Sequence, residues 1–203
     1  MDSAYPIEER PHGDSDETLM AAARDGDMEA FGRLVRRYEA PLFTYLRRMT
    51  GNAAEAEDVF QETMLRLYRS RDRYDPSSPL RPWLYRIATN CSCDRLRYLR
   101  RRLAVSLDRF GGAESDGPPL AERIPDAHAS ADASARESEL RERLEAAIAR
   151  LPMRHRAVFL MARHEGMPYD AIGECLGIPV GTVKSRMNKA VRLLMDELRE
   201  FVE

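Results

Sequence analysis

The chain has no apolar run long enough to cross a bilayer, which takes about 20 consecutive apolar residues as a helix. Its N-terminal stretch, "MDSAYPIEERPHGDSDET", is acidic where a secretory leader is basic and then apolar, so a cytoplasmic location is expected. Cysteine is scarce. Three cannot form a complete disulfide set, and "NCSC" lacks the four-ligand spacing of structural zinc, so reduced thiols and no metal are expected. The four histidines, His12, His128, His155 and His164, also lack ligand spacing. No phosphate-cradling glycine loop and no cluster of nucleophile, base and orienting group is visible, which argues against an enzyme and against a bound cofactor. Strand-like alternation and internal repeats are missing too, and lysine occurs only at positions 184 and 189.

What the chain does have is helical periodicity in two blocks. Residues 1–15 carry proline and acids and little that is apolar, too little to offset the entropy of ordering, so a disordered tail is expected there. From residue 16 to residue 102 the spacing is helical. Leu19, Ala22 and Ala23 open the pattern, and Phe31, Leu34, Val35 and Tyr38 continue it until Pro41, which is expected to close or bend that run. In "TGNAAEAEDVF", Asn52 is placed to cap a third helix and Glu55 to complete a capping box, with Val59, Phe60, Met64 and Leu67 as its apolar face. A fourth helix starting near "SSPLRPW" carries Leu80, Trp83, Leu84, Ile87 and Cys91 on one stripe and ends in the basic run "DRLRYLRRR".

Residues 103–136 change composition to Gly, Pro, Ala, Ser and acids. Between Ala104 and Ser138 seven acidic residues face three arginines, so a flexible acidic linker is expected. Periodicity returns over residues 137–203, at Leu140, Leu144, Ile148 and Leu151, then Val158, Phe159 and Ala162, then Ala171, Ile172 and Leu176. The fold class expected is all-α, two small helical domains joined by that linker.

The most informative stretch is "PYDAIGECLGIPVGTVKSRMNKAVRLL", a short helix, a turn and a longer helix. Gly177 suits the left-handed end of the first helix, Ile178 can pack beneath the turn, and Pro179 lies just outside the second helix. That spacing suits a helix-turn-helix. Val183, Met187, Ala190 and Leu194 would then face inward. Thr182, Lys184, Ser185, Arg186 and Lys189 would face outward on the N-terminal half, where a recognition helix meets bases and phosphates.

At these residues the chain resembles the extracytoplasmic-function (ECF, group IV) sigma factors of the sigma-70 family. "MPYDAIGECLGIPVGTVKSRMNKA" is similar to that family's region 4, while "GDMEAFGRLVRRY", "AEDVFQETMLRLYR" and "WLYRIATNCSCDRLR" resemble successive pieces of region 2. The resemblance implies promoter recognition and melting as a subunit of RNA polymerase, with region 2 over 16–102 and region 4 over 137–203. It implies that Asp58, Gln61, Glu62 and Arg66 face the polymerase core, at the β′ clamp. The −10 element would be read by Tyr74, Arg86, Asn90, Arg95 and Arg97, the −35 element by the five outward residues of the second helix. The linker would thread the polymerase's RNA channel, the β subunit would be a further contact, and an anti-sigma factor would be a regulatory partner. A stand-alone helix-turn-helix regulator would account for residues 137–203 but leave "DVFQETMLRLYR" and "WLYRIATN" without a task. A protein-interaction adaptor with a vestigial DNA-binding fold would suit the nearly neutral net charge.

Overall fold

The computed structural model describes residues 14–110 and 133–202. Among these residues the secondary structure is helical throughout, with no strand. α1 (Asp16–Arg24) starts at Ser15, whose hydroxyl accepts from the Thr18 amide at 3.1 Å. Asp27 likewise caps α2 (Met28–Thr50), accepting from the amides of Glu29 and Ala30 at 2.9 and 3.0 Å. α2 does not stop at Pro41, so closure, one of the two outcomes expected there, does not occur: the helix is continuous over 23 residues. Pro41 cannot donate to the Arg37 carbonyl, a defect worth about 3 kcal/mol. Just beyond it Leu42, Tyr45, Leu46 and Met49 are all fully buried, each worth roughly 1.5–3 kcal/mol, so packing outweighs the breaker.

α3 (Ala53–Arg69) begins as its sequence indicates, with the Asn52 side chain accepting from the Glu55 amide at 3.1 Å. The second half of the capping box is not made. Glu55 spends its carboxylate on Arg95 of α4 (Leu80–Phe110) instead. A 3-10 turn at Arg71–Arg73 and a short loop lead into α4. The first amide of α4, that of Leu80, donates to Glu17 on α1 at 3.1 Å, so the N-terminus of α4 is capped from 63 residues away. Tyr45 and Tyr85 meet edge to face at 5.0 Å between α2 and α4, with the Tyr45 hydroxyl 2.8 Å from Thr89.

The second block comprises α5 (Ala133–Arg150), α6 (Met153–Arg163), α7 (Tyr169–Leu176) and α8 (Val180–Val202). Helix thus occupies both ends of the stretch expected as linker. Residues 111–132, like residues 1–13 of the expected tail, lie outside the described residues. Ile148 and Leu151 are buried as their periodicity requires, but Leu140 and Leu144 are exposed, because the first turns of α5 reach beyond the helices that cover its later ones.

The two blocks are in contact. α7 packs on α4, and α5 and α6 pack on the C-terminal half of α2. Arg156 of α6 is buried and donates to the Met49 carbonyl of α2 at 2.7 Å and to the Leu151 carbonyl at 3.0 Å, serving the unpaired C-terminal carbonyls of two helices together. Burial pushes its guanidinium down to about 10, so it stays charged at neutral pH. Arg48 on α2 grips Glu145 on α5 through Nε at 2.9 and 3.0 Å.

Candidate nucleic-acid and polymerase interfaces

The helix-turn-helix geometry follows from two glycines. Gly177 ends α7 in the left-handed region (φ 64°), which lets the chain reverse, and the Ile178 amide then donates back to the Gly173 carbonyl at 2.9 Å. Gly173 faces the same turn, where a Cβ would meet the Ile178 carbonyl oxygen at 2.9 Å. The start of α8 is fixed by the Thr182 amide donating to the Pro179 carbonyl at 2.8 Å, and the Ser185 hydroxyl donates to the Thr182 carbonyl at 3.0 Å. Val183, Met187, Ala190 and Leu194 are buried, as their spacing requires. Lys184, Ser185 and Lys189 are exposed, while Thr182 and Arg186 are half-buried beside them.

The cations of that face are not neutralised by carboxylates, unlike those that brace the helices against one another. Arg33, Arg37, Arg48, Arg66, Arg81, Arg95, Arg97 and Arg150 all pair with carboxylates. Among the described residues Lys184, Arg186, Lys189 and Arg192 form no ion pair. Beneath them lies His155 of α6, buried, its Nδ1 without a hydrogen-bond partner. Burial holds its imidazole below the usual histidine range, and the positive charges of Arg154, Arg186 and Lys189 add to that. The unfolded chain therefore takes up this proton more readily than the folded one. The stability that the neutral ring contributes is present above about pH 6.5 and lost as pH falls below it. Thermal unfolding from pH 7.5 to pH 5 should accordingly fall less steeply in His155→Gln than in the parent chain. Parallel slopes would show that the ring does not titrate in that window.

On α4, Arg86 and Asn90 are exposed and one turn apart, so they share a face. The other members of the −10 set are placed differently. Tyr74 is 5% exposed, stacks on Trp83 at 5.1 Å and donates its hydroxyl to the Ser78 carbonyl at 2.5 Å, so its ring is not free to stack on a base. It pins the loop instead. Asp75 closes the same loop by accepting from the Ser77 amide at 2.9 Å, and these bonds hold its carboxyl below the usual range. Arg95 is committed to Glu55 and to Asp58, the latter at 2.8 Å, and Arg97 pairs with Asp94 at 3.0 Å on the surface. The sequence offered no sign of either α3–α4 cross-link.

On α3, Asp58 and Gln61 are exposed, Glu62 and Arg66 half-buried. Arg66 joins Glu62 at 2.6 Å and Asp94 at 3.2 Å, so it braces α3 against α4 as well as lining the outer face. Leu65, which sequence reasoning passed over, is 49% exposed one turn after Gln61 and gives that face an apolar centre. Burial raises the thiols of Cys91, Cys93 and Cys175, the last to about 12, which keeps them protonated, and the described residues contain no group of side chains able to hold a metal.

Comparison with known proteins agrees with this arrangement. Residues 34–102 match the family model for sigma-70 region 2, and residues 141–194 match that for sigma-70 region 4. The ECF RNA polymerase sigma factor SigW of Bacillus subtilis is 33% identical over 178 residues, covering 88% of this chain and 94% of that one. The ECF RNA polymerase sigma factor SigL of Mycobacterium tuberculosis is 37% identical over 183 residues, covering 89% and 94%. Among solved structures, CnrH in complex with the cytosolic domain of CnrY matches with a TM-score of 0.64 at 26% identity, over 92% of this chain and 99% of that one. The sigma factor RpoE of Bartonella quintana, solved with the anti-sigma factor NepR, matches in fold with a TM-score of 0.63 at 19% identity, over 85% and 98%. With two sigma-70 domain matches in order and relatives alike along nearly its whole length, the chain belongs to the ECF RNA polymerase sigma factors.

Proposed function

We propose that the chain is a group IV sigma subunit that directs RNA polymerase core to promoters from the cytoplasm and performs no catalysis of its own. The observation that carries this reading is the row of cations on α8, Lys184, Arg186, Lys189 and Arg192, none of them in an ion pair among the described residues and all set directly behind a helix-turn-helix turn. Cations left without partners beside a recognition helix suit phosphate and base contacts. In this reading Thr182, Lys184, Ser185, Arg186 and Lys189 read the −35 element. Arg86 and Asn90 read the −10 element on the exposed face of α4, with Arg97 near the phosphates. Asp58, Gln61 and Glu62, with Arg66 bracing them, meet the polymerase clamp around Leu65. Region 2 spans 16–102 and region 4 spans 137–203, and an anti-sigma factor is the expected regulator; RpoE of Bartonella quintana was solved in complex with one, NepR.

The test is transcription in vitro with purified core polymerase. Specific initiation on addition of the chain supports the reading. Binding to duplex DNA with no effect on core polymerase favours a stand-alone regulator. Within the −35 set, Lys189 and Arg186 are expected to behave differently. Lys189→Ala removes about one phosphate contact, so affinity should fall on every sequence and the slope of log K against log salt should flatten by about 0.9. Arg186→Ala should weaken binding to the preferred −35 sequence much more than to mismatched ones. Equal losses on both would remove Arg186 from the set that reads sequence.

A further inference from the structure

We propose that Gly181 and Asn188 belong to the promoter-reading face of α8, Gly181 as the point where DNA comes closest to the helix backbone and Asn188 as the side chain that selects an adenine. The proposal rests on the sigma-factor reading above and deepens it, since neither residue is in the −35 set. Direction around α8 is fixed by its buried stripe, Val183, Met187, Ala190 and Leu194. At about 100° per residue, Gly181, Ser185, Asn188, Lys189 and Arg192 point within roughly 50° of the direction opposite that stripe. All five are exposed. Lys184 and Arg186 flank this ridge instead, roughly 90–110° from its centre. A helix that enters a DNA groove presents its outermost ridge to the base edges, so Gly181 and Asn188 lie where reading takes place.

Nothing inside the chain calls for glycine at position 181. The residue is helical, its φ is not positive, and a Cβ there would meet no atom within 4 Å. Gly173, by contrast, is required by the carbonyl it faces. Because a glycine in a helix costs stability relative to alanine, its use at 181 lies outside the chain, and on the outer ridge of a reading helix that use is close approach of the DNA. Asn188 contributes a different chemistry. Its carboxamide holds a donor and an acceptor side by side, the pattern that pairs with N6 and N7 of adenine in the major groove. Among the described residues that side chain has no hydrogen-bond partner. Its ridge neighbours cannot substitute for it, since lysine and arginine only donate and the Ser185 hydroxyl already donates to the Thr182 carbonyl. Asn188 also lines a groove with Arg163, Tyr169 and Arg192, and among the described residues neither arginine is in an ion pair. Those two cations are available to hold phosphates beside the base that the amide reads.

The test uses holoenzyme, the full chain with core polymerase, and a duplex library randomised across the −35 region. Parent holoenzyme should enrich an adenine at one position that Asn188→Ala no longer distinguishes, a loss of roughly 5- to 150-fold in discrimination there and little elsewhere. Replacing that adenine by 7-deazaadenine, which lacks the N7 acceptor, should weaken binding by the parent and leave binding by Asn188→Ala unchanged. Gly181→Ala should give effects of opposite sign. Its melting temperature should be about 1–4 °C higher, and its binding to the enriched sequence about tenfold weaker. Gly32→Ala, on α2, should raise the melting temperature and leave DNA binding as it was. Asn188→Ala with the parent's preference at every position overturns the adenine assignment, and Gly181→Ala with unchanged DNA binding or a lowered melting temperature overturns the close approach. A parent holoenzyme that enriches no sequence and initiates nowhere sinks the sigma-factor reading and this proposal with it, whereas enrichment by the parent that both variants share sinks the proposal alone.

Discussion

Replacing Gly173 by alanine is expected to lower the stability of the chain by about 1–3 kcal/mol and to weaken −35 recognition along with it. The new methyl group would sit 2.9 Å from the Ile178 carbonyl oxygen and 3.6 Å from the Val180 side chain. The first contact is with backbone, so no rotamer change relieves it. Either α7 moves away from the turn or the turn moves away from α7. The Ile178 amide bond to the Gly173 carbonyl holds those same two segments together, so the shift strains a hydrogen bond as well as the packing. For a chain of this size each kcal/mol is worth about 2–4 °C in melting temperature. Gly32→Ala is the control. Its methyl would meet only the Arg36 guanidinium at 3.5 Å, an ordinary contact on α2, and replacing a mid-helix glycine should raise stability by about 0.5–1 kcal/mol. Equal melting temperatures for the two variants would show that the turn has more room than its geometry indicates.

The difference between these glycines also shows what sequence alone could reach. Gly177 was legible, because a glycine followed by proline two residues on is a local signal for a left-handed helix end. Gly173 was not. Its constraint comes from a carbonyl across the turn, which spacing along the chain does not encode. The same division runs through the rest of the molecule. Asn52 as a cap, the inward stripe of Val183, Met187, Ala190 and Leu194, and the outward placement of Lys184, Ser185 and Lys189 are helical-period features, and they were read correctly. Pro41 left closure and bending both open because propensity is local, whereas the burial that carries the helix through it is tertiary.

The candidate sites were legible as positions but not as partnerships. An arginine at helical spacing looks the same in sequence whether it meets solvent, phosphate or a carboxylate on the next helix. Arg95 and Arg66 turned out to be cross-links between α3 and α4, and Tyr74 a pin against Trp83. Glu165 and Arg156 were passed over for the same reason. Each lies in a run of charged and polar residues, "RHEG" and "MRHR", that reads as solvated surface until the second block is set against the first.

Asn90→Ala is expected to leave folding and core binding intact and to impair promoter melting at one base position only. Asn90 is exposed, with its side chain on the face of α4 shared with Arg86, so truncating it should change stability by no more than about 0.5 kcal/mol. The alternative, a buried amide whose loss would leave backbone groups unpaired, is ruled out by that exposure. Asp58 and Gln61, proposed to meet the polymerase clamp, sit on the exposed face of a different helix, so holoenzyme assembly should be unaffected. An extruded base held by an amide is discriminated by roughly 1–3 kcal/mol, or about 5- to 150-fold, and alanine would erase that preference at its own position while leaving the others as they were. Tyr74→Phe supplies the contrast. It deletes the bond to the Ser78 carbonyl, loosens the loop before α4 and should weaken initiation across the whole −10 element without changing which base is preferred at any position. Initiation from templates randomised at each −10 position, pre-melted and duplex, separates the two patterns. A loss for Asn90→Ala spread evenly over all positions would place Asn90 outside base recognition and reduce its part to supporting the backbone.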